Sequence, residues 1–218
     1  MDCPICKDAS SVSLRLKKTN VFKCGKCKHR FSDTKAEISL YGQEYFSVKH
    51  KNFFENPDLA LFNYIMDTII QHKGRQCKVL DVGCGNGSLL KLLLANGFSD
   101  LCGIDLIENK YKGINFINND FFKYQTLEKF DVILSIYNIE HIKDINNYMT
   151  KMKSLLKDDG ILIITTINDA SLIYLSARIF NKIGITFPCQ RLYDAHHINH
   201  FSIHSLGALA KIYCSPLS

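Results

Sequence analysis

No apolar run in this chain approaches the ~18 residues that a membrane-spanning helix needs, so no membrane partner is expected. The opening residues Met1-Asp2-Cys3-Pro4 lack the basic stretch and apolar core of a secretory leader. A reducing, cytoplasmic setting is therefore the expectation. In that setting the nine cysteines are expected as metal ligands and core thiols, not as disulfides. Neither charge sign predominates over most of the chain. The whole net charge of +6 arises in residues 1–35, where nine Lys/Arg face only Asp2, Asp8 and Asp33. Such an imbalance is either a solvated basic face or the mark of an anionic partner near that end. With 46% apolar and 22% charged residues over 218 positions, the chain is long enough for one medium globular domain plus a small module.

The small module is read from its thiols. Cys3-Pro4-Ile5-Cys6 and Cys24-Gly25-Lys26-Cys27 are two C-x2-C pairs separated by seventeen residues. That spacing fits a tetrahedral structural Zn²⁺ site, closed by four thiolates and therefore not catalytic. Between the pairs, Val12-Ser13-Leu14-Arg15-Leu16 alternates like a short strand, and Val21-Phe22-Lys23 can return beside it. So small a core should not fold without its ion. His29 is an alternative ligand, although four cysteines suffice. Four thiolates on Zn²⁺ carry −2, which lowers the module's charge to about +4.

Residues 36–75 read as a linking segment. Residues 41–46, aromatic and without a period, are expected either as packing or as a lid. A helix follows, with Asn56 as its cap, Pro57 at its first position and Gly74 at its end. Its apolar residues Leu59, Phe62, Ile65, Met66, Ile69 and Ile70 recur at helical spacing.

From residue 76 the pattern alternates between buried strands and helices. Cys77-Lys78-Val79-Leu80-Asp81-Val82 reads as a strand, Gly83-Cys84-Gly85-Asn86-Gly87 as a tight turn, and residues 88–95 as a short helix stopped by Gly97. A strand–turn–helix with glycines is a nucleotide-binding context. The turn lacks the lysine that a P-loop requires. Its G-x-G-x-G spacing is one residue tighter than a dinucleotide fingerprint. Asp81 at its lip would repel a pyrophosphate and favour a cationic ligand, such as an amino group beside a sulfonium.

"VLDVGCGNG" resembles the S-adenosylmethionine motif of class I methyltransferases, and further segments match in order. Leu101-Cys102-Gly103-Ile104-Asp105 resembles the second strand and its ribose-gripping acid. Phe116-Ile117-Asn118-Asn119-Asp120-Phe121 resembles the third strand and the acid that reads the adenine amino group, Asp120, with adjacent Asn119 as the alternative. Phe130-Asp131-Val132-Ile133-Leu134-Ser135 resembles the fourth strand, Asn138-Ile139-Glu140-His141-Ile142 the "EH" segment, and residues 159–166 the fifth strand. The resemblance covers residues 76–168 well and 196–214 loosely. It implies an α/β fold, a Rossmann-like doubly wound, mostly parallel sheet, with a small N-terminal zinc-ribbon module. The implied domains are 1–35, 36–75 and 76–218. The implied cofactor-binding residues are Asp81, Gly83, Gly85, Gly87, Asp105, Leu106, Asp120, Phe121 and Ser135. The metal-binding residues expected from spacing are Cys3, Cys6, Cys24 and Cys27.

Methyl transfer needs an acceptor aligned behind an electrophilic methyl, and often the removal of one proton. His141, just past the fourth strand, is one candidate base. His197, in "DAHHINHFSIHSL", is the other, with Ser202 as a helix cap. Ubiquinone-biosynthesis O-methyltransferases read E-x-x-E-H near here, with a proposed metal role. Tyr137 replaces the first acid, so no metal is expected at this place. No N-P-P-aromatic segment follows the fourth strand, which disfavours amide or adenine methylation. Pro188-Cys189 lies too late to be a cytosine-type nucleophile, and Cys84 reads as a packing residue.

The family's last antiparallel hairpin has no counterpart in the sequence. Residues 171–183 read as helix, and residues 161–166 are expected as an exposed apolar edge, with a homodimer as one remedy. The resemblance implies a small-molecule methyltransferase. The leading reading is O-directed; zinc-knuckle methyltransferases of this look are similar to enzymes of surface-polysaccharide and specialised-metabolite pathways, and an anionic, phosphorylated or nucleotide-linked acceptor would suit the basic module. An RNA methyltransferase is the alternative, weakened by the module's having only Phe22 and Phe31 for stacking. A catalytically silent cofactor-binding module is the third reading.

Overall fold

The computed structural model describes residues 1–33, 56–194 and 196–214; the expectation for residues 41–46 falls outside them. In chain order the described elements begin with β1 (Ser10–Arg15), β2 (Asn20–Cys24), β3 (Arg30–Ser32), α1 (Leu59–Lys73) and β4 (Lys78–Val82). They continue with α2 (Ser88–Ala95), β5 (Asp100–Asp105), β6 (Asn115–Asn118) and β7 (Phe130–Ile136). After a 3-10 turn at Ile139–His141 come α3 (Ile145–Leu155), β8 (Leu156–Thr165), α4 (Leu172–Lys182), α5 (Phe187–Leu192), β9 (Asn199–His200) and α6 (Ile203–Cys214). Among the described residues no helix is long and apolar enough to cross a membrane.

The chain divides into two compact units. One takes Ile38–Asn138 and Lys151–Thr165, the other Met1–Glu37, Ile139–Thr150 and Thr166–Ser218.

The first unit holds a five-stranded parallel sheet in the order β6-β5-β4-β7-β8. The order reverses between β4 and its neighbours β5 and β7, the switch point at which open α/β sheets bind ligands. Strands of such sheets are buried on both faces and so read as continuous apolar runs; Val79, Leu80, Asp81 and Val82 are all buried. Helix α2 has eight residues, too short to persist on propensity alone. Its Leu89, Leu90 and Leu93 are buried, each contributing about 1.5–3 kcal/mol, so packing holds it.

Helix α1 buries Phe62, Ile65 and Ile69, the spacing read from sequence. Its cap, however, is Asp58, not Asn56. The Asp58 carboxylate accepts from the Leu61 N–H at 3.0 Å, and Asp58 immediately precedes the first helical residue, Leu59, which is the position from which a side chain reaches that donor. Pro57 precedes the helix. Gly74 ends it at φ 71, donating its N–H to Ile70 O.

Strand β8 is the sheet's edge among the described residues. Residues 161–166 are half-buried rather than exposed, and Ile161 and Ile163 pack against the core.

The second unit holds the antiparallel sheet β1-β2-β3-β9. Leu14 of β1 and Val21 of β2 pack with Tyr174, Ala177, Cys189 and Tyr193. Cys189 is fully buried there, so the Pro188-Cys189 dipeptide offers no nucleophile. The fourth strand, β9, is supplied from far along the chain, pairing Arg30 with His200 and Phe31 with Asn199.

Candidate functional site

The glycine turn stands between β4 and α2. Gly83, Gly85 and Gly87 have φ of 77°, 54° and 73°, in the left-handed region that only glycine enters without strain. A Cβ at Gly83 would meet the Asn138 side chain at 2.5 Å, and one at Gly87 the Phe116 ring at 2.5 Å. Asn138 and Phe116 thus line the turn, which sequence spacing did not indicate. Cys84 is buried against Gly103 of β5, where an added Cβ would lie 2.8 Å from its sulfur. Burial pushes the Cys84 thiol far above its usual range, leaving it a packing group and not a nucleophile.

Asp105 ends β5 and faces the turn. One carboxylate oxygen accepts from the Gly85 N–H at 2.8 Å and the other from Ile107 N–H at 3.1 Å. Each oxygen keeps acceptor capacity for a ligand hydroxyl. Asn109 donates to Gly85 O at 2.6 Å and ties the turn from its other side. Leu106 beside it is half exposed.

Asp81 is 3% exposed, and its Oδ1 has no hydrogen-bond partner among the described residues. Burial, then the Asp105 charge, raise its carboxyl to about 7. A buried, orphaned carboxylate oxygen is costly unless a donor or cation reaches it. Three positive-φ glycines, an orphaned acid and a pre-set second acid fit an S-adenosylmethionine whose amino group and ribose they would hold.

Asp120 lies past the end of β6, in a turn in which its carboxylate accepts from Phe122 N–H at 2.8 Å. Phe121 beside it is buried, with the Lys151 ammonium 5.2 Å from its ring centre. Ser135 is wholly buried in β7.

In the second unit the four cysteines converge. Cys3 and Cys27 sulfurs lie 3.4 Å apart and Cys6 and Cys24 sulfurs 3.5 Å apart, and all four fall within 4.8 Å of one another. A tetrahedral Zn²⁺ with bonds of about 2.3 Å requires sulfurs about 3.8 Å apart, so the donor set fits that ion. Lys7 and Lys28, which follow the second cysteine of each pair, share φ of 60° and 61°, a matched pair of knuckles. His29 takes no part; it is buried, with Nε2 3.2 Å from Asn199 Oδ1.

The same unit brings His141 and His197 together, with ring centres 4.9 Å apart. Nδ1 of His141 lies 2.9 Å from His196 O. A carbonyl can only accept, so Nδ1 carries a proton, and in the neutral form of the ring Nε2 is then the acceptor. Glu140 is 2% exposed and accepts from the Thr166 hydroxyl at 2.9 Å. Burial raises its carboxyl to about 7. Ligand atoms of Glu140, His141 and His197 lie within 4.8 Å of one another, close enough to hold a metal ion. Nothing local in the sequence places residue 197 beside residue 141.

A Rossmann-like parallel sheet with this glycine turn at its switch point defines a nucleotide-cofactor domain of the class I S-adenosylmethionine-dependent methyltransferase type. The family model described as "Methyltransferase domain" matches residues 32–213, and the chain belongs to that family. It is 29% identical over 127 residues to the ubiquinone biosynthesis O-methyltransferase of Rickettsia bellii (strain OSU 85-389), covering 52% of each chain. It is 33% identical over 115 residues to the protein of the same name from Glaesserella parasuis serovar 5 (strain SH0165), covering 45% of this chain and 48% of that one. The chain thus spans about half the length of the curated relatives it matches.

Among solved structures it resembles the plantazolicin methyltransferase BpumL in complex with a pentazolic desmethylPZN analog and SAH. The TM-score is 0.59 at 19% identity, over 78% of this chain and 72% of that one. It also resembles Burkholderia thailandensis 1,6-didemethyltoxoflavin-N1-methyltransferase, at TM-score 0.54 and 18% identity over 85% and 84%. These likenesses establish the fold.

Proposed function

We propose that the chain transfers a methyl group from S-adenosylmethionine to an oxygen of a small, anionic acceptor, such as a phosphorylated or nucleotide-linked sugar. The observation that carries the cofactor half is the pairing of orphaned Asp81 with Asp105 held against Gly85. The cofactor supplies a methyl made electrophilic by its sulfonium. Asp81 offers charge to its cationic end, Asp105 accepts from the ribose hydroxyls, and Asp120 and Phe121 flank the adenine. For the acceptor half, Lys7, Arg15, Lys17, Lys18, Lys26 and Lys28 are exposed on the cysteine module and suit an anionic molecule. The methyl-accepting oxygen is argued from the O-methyltransferases to which the chain is similar. Structural Zn²⁺ on the four cysteines, and the division into 1–35, 36–75 and 76–218 by chemistry, belong to the same reading. Incubating the chain with the cofactor and a set of phosphorylated metabolites tests it. A mass gain of one methyl on an anionic acceptor is expected; gains only on uncharged acceptors would remove the anionic clause.

His141 and His197 are proposed to handle the acceptor proton, His141 through Nε2. His141→Ala should lower kcat at least tenfold while cofactor affinity, read by calorimetry, changes less than about twofold. An unchanged kcat would dismiss the role.

Cofactor binding should also release a proton. Burial, then the Asp105 charge, raise the Asp81 carboxyl to about 7, and a cation beside it lowers that value. Affinity is then level above about pH 7 and weakens as pH falls below it, by up to about tenfold per unit. Calorimetry in two buffers of different ionisation enthalpy reads the released proton at pH 6. Identical heats in the two buffers would mean that Asp81 does not face the cation.

A further inference from the structure

Asn199 occupies a junction within the second unit. It is 2% exposed and lies in β9 beside Phe31 of β3. Its side-chain N–H donates to Ile142 O at 2.6 Å and reaches Ile139 O at 3.5 Å. Ile139 and Ile142 bracket Glu140 and His141, so this one amide holds both ends of the turn that carries the histidine. Its Oδ1 faces Nε2 of His29 at 3.2 Å, and His29 stands two residues after Cys27 on the way into β3. The neighbouring bonds repeat the pattern. Ser32 Oγ lies 2.8 Å from His200 Nε2, Ser32 N–H donates to Ile198 O at 2.8 Å, and Ile198 N–H donates to Glu140 O at 2.9 Å. On the first knuckle, Asn146 donates to Pro4 O at 2.6 Å.

Packing alone would tolerate sliding of one layer on another. These contacts are directional and lose strength quickly with misalignment. Asparagine suits the junction because one planar group carries both donor and acceptor. Aspartate of the same shape would place an acceptor against Ile142 O.

We propose that Asn199 is a positioning residue for His141, and that it takes its own place from the cysteine knuckle through His29. The four-cysteine module is then a jig for the acceptor chemistry as well as a basic surface. The inference rests on the proposed role of His141, and its test separates the two.

Asn199→Asp, His29→Leu and His29→Gln in the 218-residue chain are compared with the unaltered chain, each loaded with zinc. Zinc content, cofactor affinity, kcat and KM are measured. The His141 ring signals, assigned with His141→Gln, are followed by NMR. Asn199→Asp and His29→Leu should keep one zinc and cofactor affinity within about twofold. Both should move the His141 signals and lower kcat about tenfold or more, with KM changing less than about threefold. His29→Gln, whose amide N–H can reach Asn199 Oδ1, should restore most of kcat. Unmoved His141 signals in either of the first two variants would overturn the proposal. So would failure of His29→Gln to exceed His29→Leu. If Asn199→Asp loses zinc or unfolds, the two His29 variants decide alone. If His141→Ala retains full turnover, the acceptor role fails while the ring signals still report on positioning.

Discussion

Replacing Asp105 with alanine should weaken S-adenosylmethionine binding by something like fiftyfold or more, about 2–3 kcal/mol. Two losses combine. In the proposed role the carboxylate accepts from ribose hydroxyls, and a charge-assisted bond is worth about 1.5–3 kcal/mol. It also fixes the turn before any ligand arrives, through Gly85 N–H at 2.8 Å and Ile107 N–H at 3.1 Å. Burial raises the Asp105 carboxyl, against these backbone bonds, which pull it down. The group is thus held ready in a place where an idle charge is unfavourable. Asp105→Asn keeps one acceptor and should fall between the wild type and the alanine variant. Calorimetry gives the three dissociation constants. Equal affinity across the series would mean that the ribose is held elsewhere.

Removing zinc should melt the cysteine module. Structural zinc contributes about 10–16 kcal/mol in small zinc-finger peptides, as much as the whole stability of an ordinary domain, about 5–15 kcal/mol. The strands beside the four cysteines are six, five and three residues long, and their buried apolar side chains among the described residues are Leu14, Val21, Cys24 and Phe31. So small a core cannot replace the ion. After chelation, with zinc loss confirmed by metal analysis, amide protection in β1, β2 and β3 should disappear, and Cys24→Ser should behave alike. Protection that survived complete zinc removal would show that the thiols are not what holds these strands.

Features carried by local spacing were legible beforehand. The glycine turn, helix α2 over residues 88–95, the β1–β2 pairing and the helix at 171–183 follow from period, turn chemistry and steric rules acting within a few residues. The cap falls on Asp58 and not Asn56 because the helix starts at Leu59, two residues later than the Pro57 signal implies. Other features have no local signal. Phe116 and Asn138 face the glycines only because β6 and β7 bring them there. The juxtaposition of His141 with His197, and of His29 with Asn199, depends on a two-residue strand joining β3 from far along the chain.

The sequence by itself determined the cofactor class and the four-cysteine set that the fold gathers. A tight glycine bend, an acid at its lip and paired cysteines are chemistries spelled by neighbours. Only the tertiary structure decided which distant histidines and amides share a place, because side-chain partnership across long chain separations is set by strand register and packing. Those are properties of the folded whole and leave no periodic trace along the chain.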